Sequence, residues 1–171
     1  MKIRKSYLIM LILVLALLAI TTGLASANPN RTPISGQESV LPEFVPGKEF
    51  FPDGNLYKVR DEIDYIEVTS DDPRVTGTNT ITFNGNFKFA PEPVFVTGRM
   101  WGTFSISNDG GNWEGTYTGV RDERGYSYFS YVGSGGGGYD GLKIRYDIVH
   151  ENPDPTTPFL FTGYIMDPGN G

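Results

Sequence analysis

The sequence predicts an all-β domain, a single eight-stranded antiparallel up-and-down barrel, with a two-sheet β-sandwich as the alternative. Three observations lead there. From Ile34 onward no window sustains apolar residues at helical spacing; short runs rich in Val, Ile, Thr, Tyr and Phe alternate instead with Gly, Asp, Asn and Pro clusters. The breaks are too short for parallel crossovers, so neighbouring strands pair antiparallel. Glycines interleave with aromatic residues along the runs, a pattern that lets a sheet curve strongly enough to close on its apolar side.

The elements follow in order. Lys2, Arg4 and Lys5 precede an unbroken apolar run from Tyr7 to Ile20 and the small-residue ending Ala25-Ser26-Ala27, the pattern of a secretory signal peptide over residues 1–27. The run is shorter than the roughly 18 to 20 apolar residues of a membrane span, and no later segment approaches that length. The mature chain is therefore expected without a membrane span, and secreted, or periplasmic in a Gram-negative source. Residues 28–33 read as a flexible lead-in and residues 34–171 as the barrel domain. With no cysteine there is no lipoprotein acylation site and no disulfide framework, so folding rests on a core alone. Removing Lys2, Arg4 and Lys5 with the leader, and no acid, takes the formal charge from −6 to −9. Nucleic-acid binding is disfavoured, because the basic residues are scattered singly or beside acids, as in Arg121-Asp122-Glu123-Arg124, and form no phosphate-binding footprint.

Eight strands are expected at 33–39, 56–69, 74–89, 97–107, 112–120, 126–133, 140–149 and 158–166. The intervening breaks are chemically explicit: Pro52-Asp53-Gly54, Asp71-Asp72-Pro73, Pro91-Glu92-Pro93, Asn108-Asp109-Gly110-Gly111, the charged run Arg121 to Gly125, Gly133 to Gly138, and Asn152-Pro153-Asp154-Pro155. Folding about Asp109-Gly110 sets Ile106 opposite Trp113, Phe104 opposite Gly115 and Gly102 opposite Tyr117, all on one face, with Thr103, Ser105, Glu114, Thr116 and Thr118 on the other. The same parity pairs Tyr117 with Phe129, Gly115 with Tyr131 and Trp113 with Gly133. It also sends Leu142, Ile144, Tyr146, Ile148, Phe159, Phe161 and Ile165 to the apolar face, with Gly163 under Tyr146. A slip of two residues would keep these faces while changing the partners.

The segments DDPRVTGTNTITFNG (71–85), WGTFSI (101–106), GNWEGTYTG (111–119) and GGGGYDGLKIRYDI (135–148) resemble a group of secreted bacterial proteins that is itself similar to the allene oxide cyclase and dirigent class of eight-stranded barrels. The resemblance spans residues 33–166 and implies a barrel able to be hollow. Allene oxide cyclases steer ring closure of a fatty-acid epoxide inside the barrel, and dirigent proteins guide phenol radical coupling. No stretch here matches their catalytic motifs, so the resemblance implies no catalytic residue.

Gly133, Gly135 and Gly138 match the G-x-G-x-x-G dinucleotide fingerprint, with Glu151 downstream. That reading fails because Leu142 to Ile148 alternates at period two, a strand, where a phosphate loop needs a helix N-terminus. The glycine run is expected as a hairpin connection or barrel rim. His150 is the only histidine and reads as a strand-end residue, and no thiolate zinc site is possible. Glu67, Glu114 and Asp147 read as surface acids; Asp71-Asp72 and Asn108-Asp109 lack the acid spacing of an EF-hand calcium loop. No metal or cofactor is expected. The candidate ligand-binding set is Trp113, Tyr117, Phe129, Tyr131 and Tyr146, aromatic residues on one face that either fill the barrel or line a pocket for a small apolar or aromatic molecule. Trp101 falls on the opposite face, where cover by a terminal segment is expected over contact with a sugar or partner. The reading is a secreted, non-enzymatic ligand-binding barrel. The alternatives are an isomerase or cyclase, and a surface or matrix interaction protein with a filled barrel.

Overall fold

The computed structural model describes residues 30–89, 96–154 and 156–169. Nine strands run in chain order: β1 Arg31–Val45, β2 Lys48–Asp53, β3 Leu56–Ser70, β4 Gly77–Phe89, β5 Val96–Asn108, β6 Gly111–Arg121, β7 Ser127–Gly137, β8 Lys143–His150 and β9 Phe159–Met166. Strands β3 to β9 form an antiparallel meander, and β1 closes it by pairing with both β9 and β3. The result is a closed eight-stranded barrel plus one extra strand, β2, which excludes the two-sheet sandwich. The calls on residues 1–27, on positions 28 and 29 of the lead-in, and on the Pro91-Glu92-Pro93 break lie outside the described residues.

The first expected strand, 33–39, is too short. β1 begins at Arg31, inside the expected lead-in, and reaches Val45; after Pro46-Gly47, β2 continues along the same edge of β3, with Phe44 opposite Asp64 and Lys48 opposite Arg60. Prolines hid this extension. Pro42 lies where the β1 register shifts between Val40 and Phe44, and Pro52 where the β2 register shifts between Phe50 and Asp53, so neither owes the ladder a donor. Gly47 passes so close to β3 that a Cβ there would lie 2.4 Å from the Arg60 carbonyl oxygen. The fourth strand starts at Gly77 rather than 74, because Asp72 accepts from the Arg74 backbone N–H and side chain and holds the preceding turn.

The β5–β6 register is as expected: Ile106 faces Trp113, Phe104 faces Gly115 and Gly102 faces Tyr117. The expected β6–β7 register is wrong by two residues. Tyr117 faces Tyr131, Gly115 faces Gly133 and Trp113 faces Gly135. The cause is the Arg121 to Ser127 connection, where the Asp122 carboxylate accepts from the backbone N–H groups of Arg124 and Tyr126 and stabilises a wider loop than parity alone suggests. Faces survive this slip, and partners do not. Gly163 faces Tyr146 as expected.

The glycine run is not simply a connection. β7 continues through Gly137, and the turn lies at Gly138 to Leu142, with Gly137 and Gly141 at φ of 63° and 83°. A Cβ at Gly133 would meet the Phe104 ring at 2.7 Å, and one at Gly135 would meet the Tyr139 backbone and Cβ. The bare backbone therefore makes room for the Phe104 ring and for the Tyr139 main chain.

The inner face splits into two packed clusters. The larger one contains Val75, Ile106, Trp113 and Tyr139 toward the β5–β6 turn, and a stack of Phe104, Tyr131, Tyr146 and Phe161 further along. Tyr131 lies parallel to Tyr146 at 4.5 Å and to Tyr117 at 5.0 Å, while Phe104 meets Tyr131 edge-on at 5.3 Å. The smaller cluster is Val59, Phe87 and Met100, with Phe83 and Phe129 packed against both.

Candidate functional site

Between the two clusters the barrel is hollow. A cavity of about 230 Å³ draws its wall from both, including Ile81, Phe83, Phe87 and Met100, and the half-exposed Val40 is also part of that wall. Of the aromatic residues expected to line a pocket, Tyr117, Phe129 and Tyr131 do so. Trp113 does not: it is fully buried in the filled end, stacked on Tyr139 at 5.2 Å, and donates from Nε1 to the Arg74 carbonyl at 2.7 Å. Tyr146 is also fully buried and touches the cavity indirectly, through a carboxylate the sequence reading did not single out.

That carboxylate is Glu38 of β1, 2% exposed and part of the cavity wall. The Tyr146 hydroxyl donates to its Oε1 at 3.1 Å, and Asn79 Nδ2 donates to the same oxygen at 3.5 Å. Burial disfavours the charged form and pushes the Glu38 carboxyl up to about 7, with the two hydrogen bonds pulling in the opposite direction. Asn79 is itself fully buried, and its Oδ1 has no donor. A second carboxyl on the wall, Asp64 of β3, is also raised by burial. Burial, with the neighbouring carboxylates adding to it, raises Tyr117, and burial together with Glu38 raises Tyr131 and Tyr146, so these phenols stay protonated. The signal for Glu38 lay in parity: Ile34, Gly36 and Glu38 alternate onto one face of β1, but the strand was expected to end at 39 and no partner was assigned to it.

The remaining candidates are structural. His150 ends β8, buried, with its ring stacked on Phe159 at 3.7 Å and Nε2 3.2 Å from the Asp154 carbonyl oxygen. Asp71 accepts from the Ser35 N–H and hydroxyl, and Asn108 bonds the turn backbone and Tyr139. Among the described residues no group of three His, Cys, Asp or Glu is placed to hold a metal. Glu67, Glu114 and Asp147 are exposed on the outer face; Glu114 accepts from Asn112, and Asp147 accepts from the Ser130 hydroxyl. Among the described residues Trp101 is covered by Arg60 of β3: the guanidinium sits 4.9 Å above the ring while donating to the Val59 and Gly85 carbonyls and to Asn86. A wider trough on the outer face, beside Trp101, Tyr128 and Arg145, has no buried polar side chain on its wall.

No family model, curated protein or solved structure matches the chain. Among the described residues no helix is long and apolar enough to cross a membrane.

Proposed function

We propose that this is a secreted, non-enzymatic barrel that binds a small apolar or aromatic molecule in its interior. The observation that carries the reading is the cavity of about 230 Å³ between two packed clusters, walled by residues that include Tyr117, Phe129 and Tyr131. It has the form of small-molecule sites in general, a mostly apolar concavity with a few convergent polar groups. The basic and apolar leader pattern at residues 2–27 supports export. Native mass spectrometry of the chain purified from its host's secreted fraction tests the reading. Extra mass that disappears on denaturation is expected, and a bare chain from that source counts against it.

Glu38 favours a second reading, an isomerase or cyclase acting inside the barrel. A carboxyl held near neutrality beside an apolar cavity is equipped to give or take a proton from a bound molecule. Turnover of a bound unsaturated ligand, lost in Glu38→Gln while the fold is kept, would establish that reading over simple binding.

A further inference from the structure

The polar groups gathered around Glu38 point to a class of occupant. Two carboxyls reach the wall, from Glu38 and Asp64. Both hydrogen bonds to Glu38 fall on Oε1, so Oε2 receives neither, and the adjoining Asn79 Oδ1 is buried without a donor. The acceptors left without a donor, Glu38 Oε2 and Asn79 Oδ1, therefore sit together at one place in a buried setting. Among the described residues the one cationic side chain on the wall is Arg121, at the end of β6; its Nη2 donates to the Pro153 carbonyl at 3.4 Å, and its Nε is buried without an acceptor. Phe83, Phe129, Tyr117 and Tyr131 supply aromatic surface beside the two carboxyls.

Resting on the binding reading above, we propose that the occupant is an organic monocation, a protonated amine or quaternary ammonium carried on an apolar or aromatic body. A neutral hydrocarbon would leave the buried carboxylate oxygen unpaired, and an anion would face two carboxyls. A cation satisfies both the carboxylates and the ring faces, whose quadrupoles attract positive charge in a dry site. The size fits: a cavity of about 150 Å³ holds benzene, and the space here, about 230 Å³, adds room for a small cationic head.

Glu38 holds a proton below neutrality, and a bound cation favours its release. The groups around Glu38 are Tyr146 from β8, Tyr131 from β7, Tyr117 from β6, Asn79 from β4 and Asp64 from β3, with Arg121 also on the cavity wall. The phenols do not ionise between pH 5 and 9, so the carboxyls alone set the pH dependence. Cation affinity is expected to fall by about tenfold or more from pH 8.5 to pH 5.5.

The test titrates the chain, shown bare by native mass spectrometry, with three probes of one size: phenyltrimethylammonium, its neutral isostere tert-butylbenzene, and benzenesulfonate. The cation is expected to bind at least about tenfold tighter than the isostere at pH 8.5, and the preference to shrink at pH 5.5 and in Glu38→Gln. Equal or tighter binding of tert-butylbenzene would overturn the cation proposal and leave the binding reading standing. Tightest binding of benzenesulfonate would overturn it in favour of an anion anchored on Arg121. Binding of none of the three would remove both readings. Should Glu38→Gln fail to fold, Asp64→Asn and the pH dependence of the unaltered chain decide; an unchanged cation preference in both refutes the proposal.

Discussion

Replacing Glu38 by Gln should stabilise the bare barrel at neutral and alkaline pH and do almost nothing in acid. The reasoning starts from burial: Glu38 is 2% exposed, and its carboxyl is raised from 4.5 to about 7. Between those two values the folded chain holds a proton that the unfolded chain has released, so stability declines as pH rises through the interval and the loss is complete above 7. The shift corresponds to about 3 kcal/mol. Gln keeps an oxygen for Tyr146 and Asn79 and carries no charge, so it escapes the loss. Urea unfolding at a series of pH values from 4 to 8 should give nearly equal stabilities for both proteins at the acid end. At pH 8 the variant should be more stable, with a midpoint higher by about 1 to 3 M. Carboxyls such as Asp64, Asp71 and Asp72 titrate in both proteins and cancel in the difference. A stability difference that stays constant with pH, or a variant less stable at pH 8, would refute the reasoning.

Tyr146→Phe removes a hydrogen bond that favours the Glu38 carboxylate, so its carboxyl should rise further and the stability lost on going from pH 5 to 8 should grow; the same urea series measures it. Trp113→Phe should cost about 1 to 3 kcal/mol by removing the bond to the Arg74 carbonyl and part of the stack on Tyr139, while leaving ligand affinity unchanged, because Trp113 lies off the cavity wall. Gly115→Val should destabilise by about 1 to 3 kcal/mol, seen as a lowered thermal midpoint, since even its Cβ would lie 2.1 Å from the Val132 carbonyl oxygen and 2.8 Å from the Phe104 ring.

How much of this was legible varies with the physics of each element. Strand β8 reads KIRYDIVH with strictly alternating exposure, and its inner face needed no tertiary information. The β5–β6 register was also readable, because a tight turn at Asp109-Gly110 leaves parity little freedom, and Asn108 faces Gly111. The β6–β7 register was not, because the loop width depends on how Asp122 caps its neighbours' N–H groups. β2 escaped because Pro46 and Pro52 look like terminators, and only the three-dimensional edge of β3 shows that the chain resumes pairing between them. For the site, the inward parity of Tyr117, Phe129, Tyr131 and Tyr146 was readable. Their depth along the barrel was not, because it follows from strand stagger, which sequence alone does not specify. Trp113 shares their parity and ends in the filled half for that reason.

The position of Glu38 bears on what the barrel is for. Its neighbours on the wall include Ile66, Ile81 and Phe83, and a Leu or Gln in its place would avoid the desolvation of a carboxylate. The filled end shows that this chain packs rings and branched side chains without such a group: Val75, Ile106 and Trp113 are fully buried there, and the polar atom of Trp113 finds a backbone partner. The hollow end does the opposite. It keeps empty volume, places a carboxyl on its wall, orders that carboxyl with a tyrosine and an asparagine, and leaves an adjoining amide oxygen without a donor. The unfilled volume, the buried carboxyl and the unpaired oxygen each lower stability, and they coincide at one place. Local departures from best packing that cluster in this way favour the proposed binding site, where a ligand would make the missing contacts.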